Sequence, residues 1–175
     1  LDSTKALPKI FQRFFPNKGN PTFFDVGIGW TNDLGPVTVK EVADLLPHAH
    51  VFGLDNQLPS YQLRTPEGQV LLDSNGQILF GEFHGKQYET VTTMNANVRD
   101  EFIRNFEKVR GNVGPQQTRY EDKQAVIELI YNPIALHEKP NLKYVQADLF
   151  NLQSAAPMLS KNKADIVRIA NVIIP

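Results

Sequence analysis

Two glycines directly after an apolar run are the residues of this chain best suited to bind a ligand. Gly27 and Gly29 follow the run Thr22–Val26, which has the composition of a short β-strand. A strand that enters a tight turn needs residues without a Cβ atom if a ligand is to approach its backbone. A helix that begins after the turn adds its free N–H groups and the positive end of its dipole. Ordinary turn glycines give the same pattern, so the interpretation needs a second feature.

Asp55 provides that second feature. It ends a second β-type run, Val51–Asp55, and lies 26 positions after Gly29. Adjacent strands of a doubly wound sheet end in one crevice, where ligands bind. A carboxylate in that crevice can accept hydrogen bonds from both hydroxyls of a ribose. A solvated aspartate at the end of a strand is the simpler alternative.

Nicotinamide and flavin dinucleotides also use an acidic residue after the second strand, but their motif requires a third glycine. In Gly-x-Gly-x-x-Gly, the third glycine permits close packing of helix against strand. This chain has Asn32 in the third place, and its next glycine, Gly35, is out of register. An NAD-dependent oxidoreductase is therefore the less favoured interpretation.

The elements that hold these residues follow a βαβ pattern. Between the two strands, Pro36–Leu46 has helical spacing of apolar residues, so residues 22–55 predict two parallel strands joined by a helix. The predicted fold class is α/β, with a doubly wound and mainly parallel sheet. The other predicted elements are a helix at Thr4–Phe15, strands at Leu142–Asp148 and Ala164–Ile174, and a short helix at Ser154–Leu159.

A long insertion interrupts this pattern. The third strand begins 87 positions after Asp55, whereas a whole βαβ unit needs only about 30 residues. Asn75-Gly76 between two apolar runs predicts a hairpin, and the spacing of apolar residues predicts helices at Asn97–Arg110 and Glu121–Tyr131. We expect a hairpin-plus-helix insertion at about residues 60–135 that forms a lid or a substrate-recognition surface. A subdomain with only its own small core is the alternative.

Length and composition exclude several classes of protein. The chain has 175 residues, and a domain usually has about 100–200, so we expect a single domain over residues 1–175. A net charge of −1 disfavours nucleic acid as a partner without excluding it. The absence of Cys excludes disulfides and zinc–thiolate sites, and it is compatible with a cytoplasmic protein. The four histidines lack the spacing of metal ligands, and no apolar run reaches the ~20 residues of a membrane span.

Four segments together resemble the class I S-adenosylmethionine-dependent methyltransferases. Asp25-Val26-Gly27-Ile28-Gly29 is similar to the acidic-x-Gly-x-Gly first motif of that family, and Asp55 is similar to its ribose-binding acid. Gln146–Phe150 resembles the motif after the third strand, and Ala164–Val172 resembles the fourth strand that completes the pocket. The resemblance implies a Rossmann-like fold and S-adenosylmethionine as cofactor.

The resemblance also implies roles for the first motif. Asp25 would orient the loop or meet the ammonium group of the methionine end of the cofactor. Gly27 and Gly29 would admit backbone contacts to the cofactor. One departure is the stretch Trp30–Leu34, which makes the loop before the helix longer than is usual in the family. This departure puts the individual contacts in doubt.

The later motifs carry the remaining implied roles. Asp55 would hold the ribose, Asp148 the amino group of the adenine, and Leu149 would pack on the adenine ring. Asn171, or its backbone, would lie beside the methionine end. Asp148 as a helix N-cap and Asn171 as a polar strand terminus are the structural alternatives.

The function implied is methyl transfer from S-adenosylmethionine to an unidentified acceptor. An electrophilic sulfonium methyl is transferred in line to a nucleophile, so positioning and electrostatics dominate and no catalytic base can be named. Whether this chain is active by itself is left open. The alternatives are a non-catalytic, methyltransferase-like binding or assembly module and, less favoured, the oxidoreductase.

The fourth predicted strand raises a question of completeness. The family's sheet has seven strands with the fourth in its interior, whereas this sequence reaches only the fourth. Its run of Ile and Val is typical of a parallel strand that is buried on both faces. We therefore expect that the 175 residues are the N-terminal part of a longer protein, or that a partner chain covers Ala164–Ile174.

Overall fold

The computed structural model describes residues 6–16, 19–29, 37–88, 93–111, 119–124, 126–148, 161 and 163–169. The chain divides into two compact units, of which unit 1 comprises residues 1–56 and 137–175 and unit 2 comprises residues 57–136. In chain order the elements are α1 (Leu7–Phe14), β1 (Thr22–Val26), α2 (Val37–Leu45), β2 (His50–Asp55), β3 (Tyr61–Thr65), β4 (Gly68–Leu72), β5 (Ile78–Phe83), β6 (Lys86–Tyr88), α3 (Ala96–Arg110), β7 (Arg119–Asp122), β8 (Ile127–Tyr131), a 3-10 helix (Pro133–His137), β9 (Leu142–Gln146) and β10 (Ile166–Ile169).

Unit 1 is built on a parallel sheet of four strands in the order β10-β1-β2-β9, counted over the described residues. This confirms the predicted α/β fold with a parallel sheet, and all four predicted strands are present. The third strand ends at Gln146, two residues before its predicted end. The part of the predicted fourth strand beyond Ile169 lies outside the described residues, as does the helix predicted at Ser154–Leu159.

Apolar side chains cover both faces of the central strands of this sheet. Every residue of β1 is buried, and four consecutive residues of β2 are buried as well. On one face, Phe24 packs edge-on against Phe52, with ring centroids 5.4 Å apart. On the other face, α1 contributes Phe11, whose ring lies 6.5 Å from that of Phe23. Burial on both faces is typical of parallel strands, which leave no side for water.

The helices of unit 1 are short, and contacts with the sheet hold them. α2 packs against β2 and β9 through a buried stripe that includes Val39 and Val42. The amide nitrogen of Asn141 donates to the carbonyl oxygens of Ala43 and Leu46, at 2.9 and 3.2 Å, and so satisfies the carboxyl end of α2. Among the helices that the structure describes, none combines the length and the apolar character needed to cross a membrane.

Unit 2 is an antiparallel sheet with one long helix. Its strands have the order β6-β5-β4-β3-β8-β7 within the described ranges. Three residues of α3, namely Phe102, Phe106 and Val109, enter a core with Leu63 and Leu129 of the sheet. Asn95 begins α3 by accepting a hydrogen bond from the backbone N–H of Asn97 at 2.9 Å, as an N-cap residue does.

The hairpin predicted at Asn75-Gly76 is confirmed. It joins β4 to β5, and Gly76 has the left-handed φ of 84° that such turns require. The Asp73 carboxylate accepts hydrogen bonds from the backbone N–H groups of Asn75 and Gln77, both at 2.8 Å. Asp73 thus holds the turn from its first residue.

The helix predicted at Glu121–Tyr131 is wrong. Residues 119–122 and 127–131 are the strands β7 and β8, which pair with each other and, through β8, with β3. The physical reason is that Ile127 and Leu129 alternate with Glu128 and enter the core of unit 2, while Ile130 is buried outside that core, which fits a strand with side chains on both faces. The insertion therefore contains the predicted hairpin and one helix, and its remaining strands extend the hairpin into an antiparallel sheet.

β10 is an edge strand of the parallel sheet within the described residues. Val167 and Ile169 are 54% and 59% exposed, although their partners on β1, Phe24 and Val26, are buried. The expected burial of this strand on both faces includes cover from a further segment or a partner chain, so the exposure of these two side chains does not test it. That a further segment or a partner chain covers Ala164–Ile174 stays a prediction.

Replacing Gly68 with alanine tests the packing of unit 2. A Cβ atom at Gly68 would lie 2.0 Å from the carbonyl oxygen of Glu82 on the paired strand. Because backbone must move to relieve this clash, we expect Gly68→Ala to lower the free energy of unfolding by about 1–3 kcal/mol in urea denaturation. Gly111→Ala is the control, since no non-neighbouring atom of the described residues lies within 4 Å of its Cβ position, and it should change stability by less than about 0.5 kcal/mol. Equal effects of the two variants would contradict this prediction.

Candidate ligand site at the carboxyl end of the parallel sheet

The turn after β1 has the backbone conformation that the glycine pair predicted. Gly27 and Gly29 have φ angles of 73° and 62°, in the left-handed region that residues with a Cβ atom rarely adopt. The N–H of Gly27 donates to the carbonyl oxygen of Leu54 at 2.8 Å. The turn is therefore fixed to β2, the strand that ends at Asp55.

The buried side chain of Ile28 also holds this turn against β2. Ile28, between the two glycines, is buried and faces Gly53 on β2. A Cβ atom at Gly53 would lie 3.3 Å from Ile28 Cγ2 and 2.9 Å from Cδ1 of the Tyr144 ring. Sequence reasoning missed Gly53, although a glycine inside a buried strand signals that another group approaches closely.

Asp55 lies at the predicted place, next to the glycine turn. Its carboxylate oxygen Oδ2 accepts a hydrogen bond from the N–H of Gly29 at 3.4 Å. Its backbone carbonyl accepts from the N–H of Ala147, at 2.8 Å, which ties it to the end of β9. The structure thus brings Gly29 and Asp55 into contact at the carboxyl edge of the sheet.

Asp25 is buried in an ion pair that sequence reasoning missed. Its side chain is fully buried, and Nη1 of Arg168 donates to both of its oxygens, at 2.8 and 3.0 Å. The two residues lie opposite each other in the register of β1 and β10. Burial raises the pKa of the Asp25 carboxyl above its usual value of 3.8, while the charge and hydrogen bonds of Arg168 act against that rise.

The ion pair could have been suspected from the strand composition. Asp25 and Arg168 are each the single charged residue in the described part of an otherwise apolar parallel strand. A carboxylate buried in such a strand needs a cation or hydrogen-bond donors. The sequence alone does not show the register of β1 and β10, which places residues 143 positions apart opposite each other.

The other predicted site residues are placed only in part. Asp148 is exposed and follows β9 at the same carboxyl edge of the sheet. Gln146, two residues earlier, pairs in register with Asp55 and donates its amide N–H to the carbonyl oxygen of Asn56 at 3.1 Å. Leu149 and Asn171 lie outside the described residues.

Charged and polar groups at this edge therefore come from four strands. They are the pair of Asp25 and Arg168 on β1 and β10, Asp55 on β2, and Asp148 after β9. Over the ranges that the structure describes, no group of three or more His, Asp or Glu side chains could hold a metal ion. The arrangement offers carboxylates, one guanidinium and a turn without Cβ atoms, which are groups suited to hydrogen-bonding an organic ligand.

Comparisons with known proteins give no assignment: no protein-family model, no curated protein and no solved structure matches this chain. The function has to be inferred from the site itself.

A double-mutant cycle tests whether the buried ion pair stabilises unit 1. Arg168→Gln leaves the Asp25 carboxylate buried without its cation, so we expect a loss near the lower end of about 3–5 kcal/mol, because the Arg168 side chain is 32% exposed. Asp25→Asn combined with Arg168→Gln should recover most of that loss in urea unfolding. Arg99→Gln removes a cation from an exposed ion pair and should cost less than about 1 kcal/mol. Additive effects of the two single substitutions would contradict this prediction.

The raised pKa of Asp25 predicts a pH dependence of stability. The folded state binds this proton more tightly than the unfolded chain, so the free energy of unfolding falls as the pH rises from 3.8 through the folded pKa. Asp25→Asn carries no such proton. In urea unfolding across mildly acidic pH, the wild type should therefore lose stability relative to Asp25→Asn as the pH rises. A relative gain over the same interval would indicate a lowered pKa and contradict the prediction.

Proposed function

We propose that this chain binds S-adenosylmethionine at the carboxyl end of its parallel sheet and transfers the methyl group to an acceptor. The observation that carries the proposal is the contact between the left-handed glycine turn and Asp55. Gly29 and Asp55 are 26 residues apart, and the N–H of one reaches the carboxylate of the other. This arrangement is suited to a nucleoside, whose ribose needs paired acceptors beside a surface without Cβ atoms.

The strand order supports the choice of this edge. The chain passes from β1 to β2 on one side, while β10 lies on the other side of β1. In open α/β sheets, ligands bind outside the carboxyl ends of the strands, where the order reverses. The reversal falls between β1 and β10, beside Asp25 and Arg168. On this proposal the unit is a doubly wound, Rossmann-like methyltransferase domain.

The residues present fit the nucleoside half of the cofactor. Gly27 and Gly29 provide a backbone surface free of Cβ atoms, and Asp55 is close enough to this surface to contact the turn itself. Asp148 is exposed after the next strand, as an acceptor for an adenine amino group must be. Asp25 does not fit its expected role on the ammonium group, because its side chain is fully buried and both oxygens already accept from Arg168.

The chemistry proposed asks the protein mainly to position its ligands. When bound, S-adenosylmethionine supplies a methyl group attached to a positively charged sulfur, and a nucleophile can attack the carbon of that methyl group with S-adenosylhomocysteine as the leaving group. The glycine turn and Asp55 orient the nucleoside. Nearby charged groups affect the energy of the positive charge that leaves the sulfur during transfer. No described side chain is assigned as a catalytic base, and the acceptor is a molecule still to be identified.

Calorimetric titration of the chain with S-adenosylhomocysteine, S-adenosylmethionine and NAD⁺ tests this proposal. We expect binding of the first two ligands and none of NAD⁺. If neither adenosyl ligand binds at millimolar concentration, the proposal is contradicted and a non-catalytic binding or assembly module is favoured. Binding of NAD⁺ alone would favour the oxidoreductase.

Asp55→Ala tests the residue on which the proposal depends most. If the carboxylate hydrogen-bonds the ribose, its removal should weaken S-adenosylhomocysteine binding by about 1–3 kcal/mol, which calorimetry resolves. Asp44→Ala is a matched control in the same unit, since Asp44 is an exposed helix residue paired with Lys139. An unchanged affinity of Asp55→Ala, with binding by the wild type intact, would remove Asp55 from the site.

A further inference from the structure

Arg168 has donor groups that its ion pair does not use. A guanidinium carries five N–H donors on three nitrogens. Both hydrogen bonds to Asp25 come from Nη1, so neither Nη2 nor Nε takes part in them. The Arg168 side chain is 32% exposed, whereas Asp25 is fully buried. Nη1 of the guanidinium is therefore held in the sheet, while the Arg168 side chain as a whole is partly accessible to solvent.

The position of this exposed part is favourable for ligand binding. Arg168 lies on β10 opposite Asp25. Asp25 itself precedes Gly27, the first residue of the glycine turn, by two positions. The reversal of strand order falls between these two strands, and this is where ligands of open α/β sheets bind. Along the same edge, Asp55 contacts the other end of the turn at Gly29. The turn thus follows the strand that carries Asp25 and its ion pair, and it ends in contact with Asp55.

We infer that Arg168 binds a carboxylate of the ligand, namely that of the amino-acid group of S-adenosylmethionine, and that Asp25 positions Arg168 without contacting the ligand. The inference rests on the proposed function. The expected contact joined the Asp25 carboxylate to the ammonium group of the ligand. The inferred contact instead joins the Arg168 guanidinium, on the neighbouring strand, to the carboxylate of the ligand.

The chemistry of the guanidinium supports this assignment. A planar guanidinium can donate to two carboxylates from different edges, and Arg–carboxylate contacts are among the stronger hydrogen bonds in proteins. Asp25 restricts Arg168 to one arrangement before the ligand arrives, so less conformational freedom is lost on binding. The ligand charge also meets a cation that is partly shielded from water, where the attraction is larger than at a free surface.

Two ligands that differ only at the amino-acid end test the inference. S-adenosylhomocysteine carries the amino-acid group, whereas 5′-methylthioadenosine has the same adenosine and sulfur without it. Calorimetry with Arg168→Lys, which keeps a cation beside Asp25 but lacks the planar fork, should show about 10- to 100-fold weaker binding of S-adenosylhomocysteine. The affinity for 5′-methylthioadenosine should stay within about threefold of the wild type, since this ligand has no carboxylate.

Two further variants separate ligand contact from folding. Asp25→Asn keeps one oxygen that accepts from Arg168 but removes the charge that positions it, so S-adenosylhomocysteine affinity should fall by less than in Arg168→Lys, with the affinity for 5′-methylthioadenosine unchanged. Asp25→Asn combined with Arg168→Gln leaves no buried charge, and it should lose affinity for S-adenosylhomocysteine but not for 5′-methylthioadenosine. Urea unfolding of each variant verifies that it is folded at the temperature of the titration.

The outcomes distinguish this inference from the proposed function. If the wild type binds neither ligand, the proposed function fails, and the inference fails with it. If the wild type binds both ligands and the Arg168 variants weaken both equally, or neither, the proposed function stands and Arg168 has only a structural role. A selective loss of S-adenosylhomocysteine binding in Asp25→Asn, with Arg168→Lys unaffected, would restore the contact of Asp25 with the ammonium group and overturn the inference.

Discussion

A carboxylate in the interior of an apolar sheet is costly unless a cation meets it, and in this chain the cation comes from a strand far along the sequence. Asp25 and Arg168 join β1 and β10 in register, so the ion pair connects the first and the last of the four parallel strands. The charge of Asp25 is tolerable only in this register, since a shift by one residue would place it opposite an apolar side chain. The pair therefore fixes the alignment of the edge strand β10 on β1.

The turn itself depends on glycines in two places, one within the turn and one on the neighbouring strand β2. Gly27 and Gly29 permit the left-handed backbone, and Gly53 on β2 leaves room for the side chains of Ile28 and Tyr144, which both approach it closely. Ile28 thus acts as a buried apolar anchor for a turn that contacts the Asp55 carboxylate. A rigid turn of this kind loses little freedom when a ligand binds, which favours affinity.

Local patterns in the sequence predicted much of this fold, and long-range pairing accounts for what they did not predict. The strands beginning at Thr22 and His50 and the turn at Asn75-Gly76 follow from apolar runs and turn residues that act over a few positions. The helix predicted at Glu121–Tyr131 failed because its apolar residues fit two periods, and pairing with β3 decided for the strand. At the site, Asp55 followed from strand-end placement, whereas Arg168 could not be assigned without the register of β10.

The insertion between β2 and β9 also affects how the chain can fold. These two strands pair directly, yet 87 positions separate Asp55 from Leu142, and closing so long a loop costs conformational entropy. Within unit 2, the N–H of Asn132 donates to the carbonyl oxygen of Ser60 at 2.8 Å, which brings both ends of the insertion together. If unit 2 forms first, the open chain between the parallel strands shrinks to about 15 residues, and the entropic cost of pairing them falls by about 1.5 kcal/mol. The antiparallel sheet thus brings its own ends together, and it lowers the entropic cost of forming the parallel sheet that holds the candidate site.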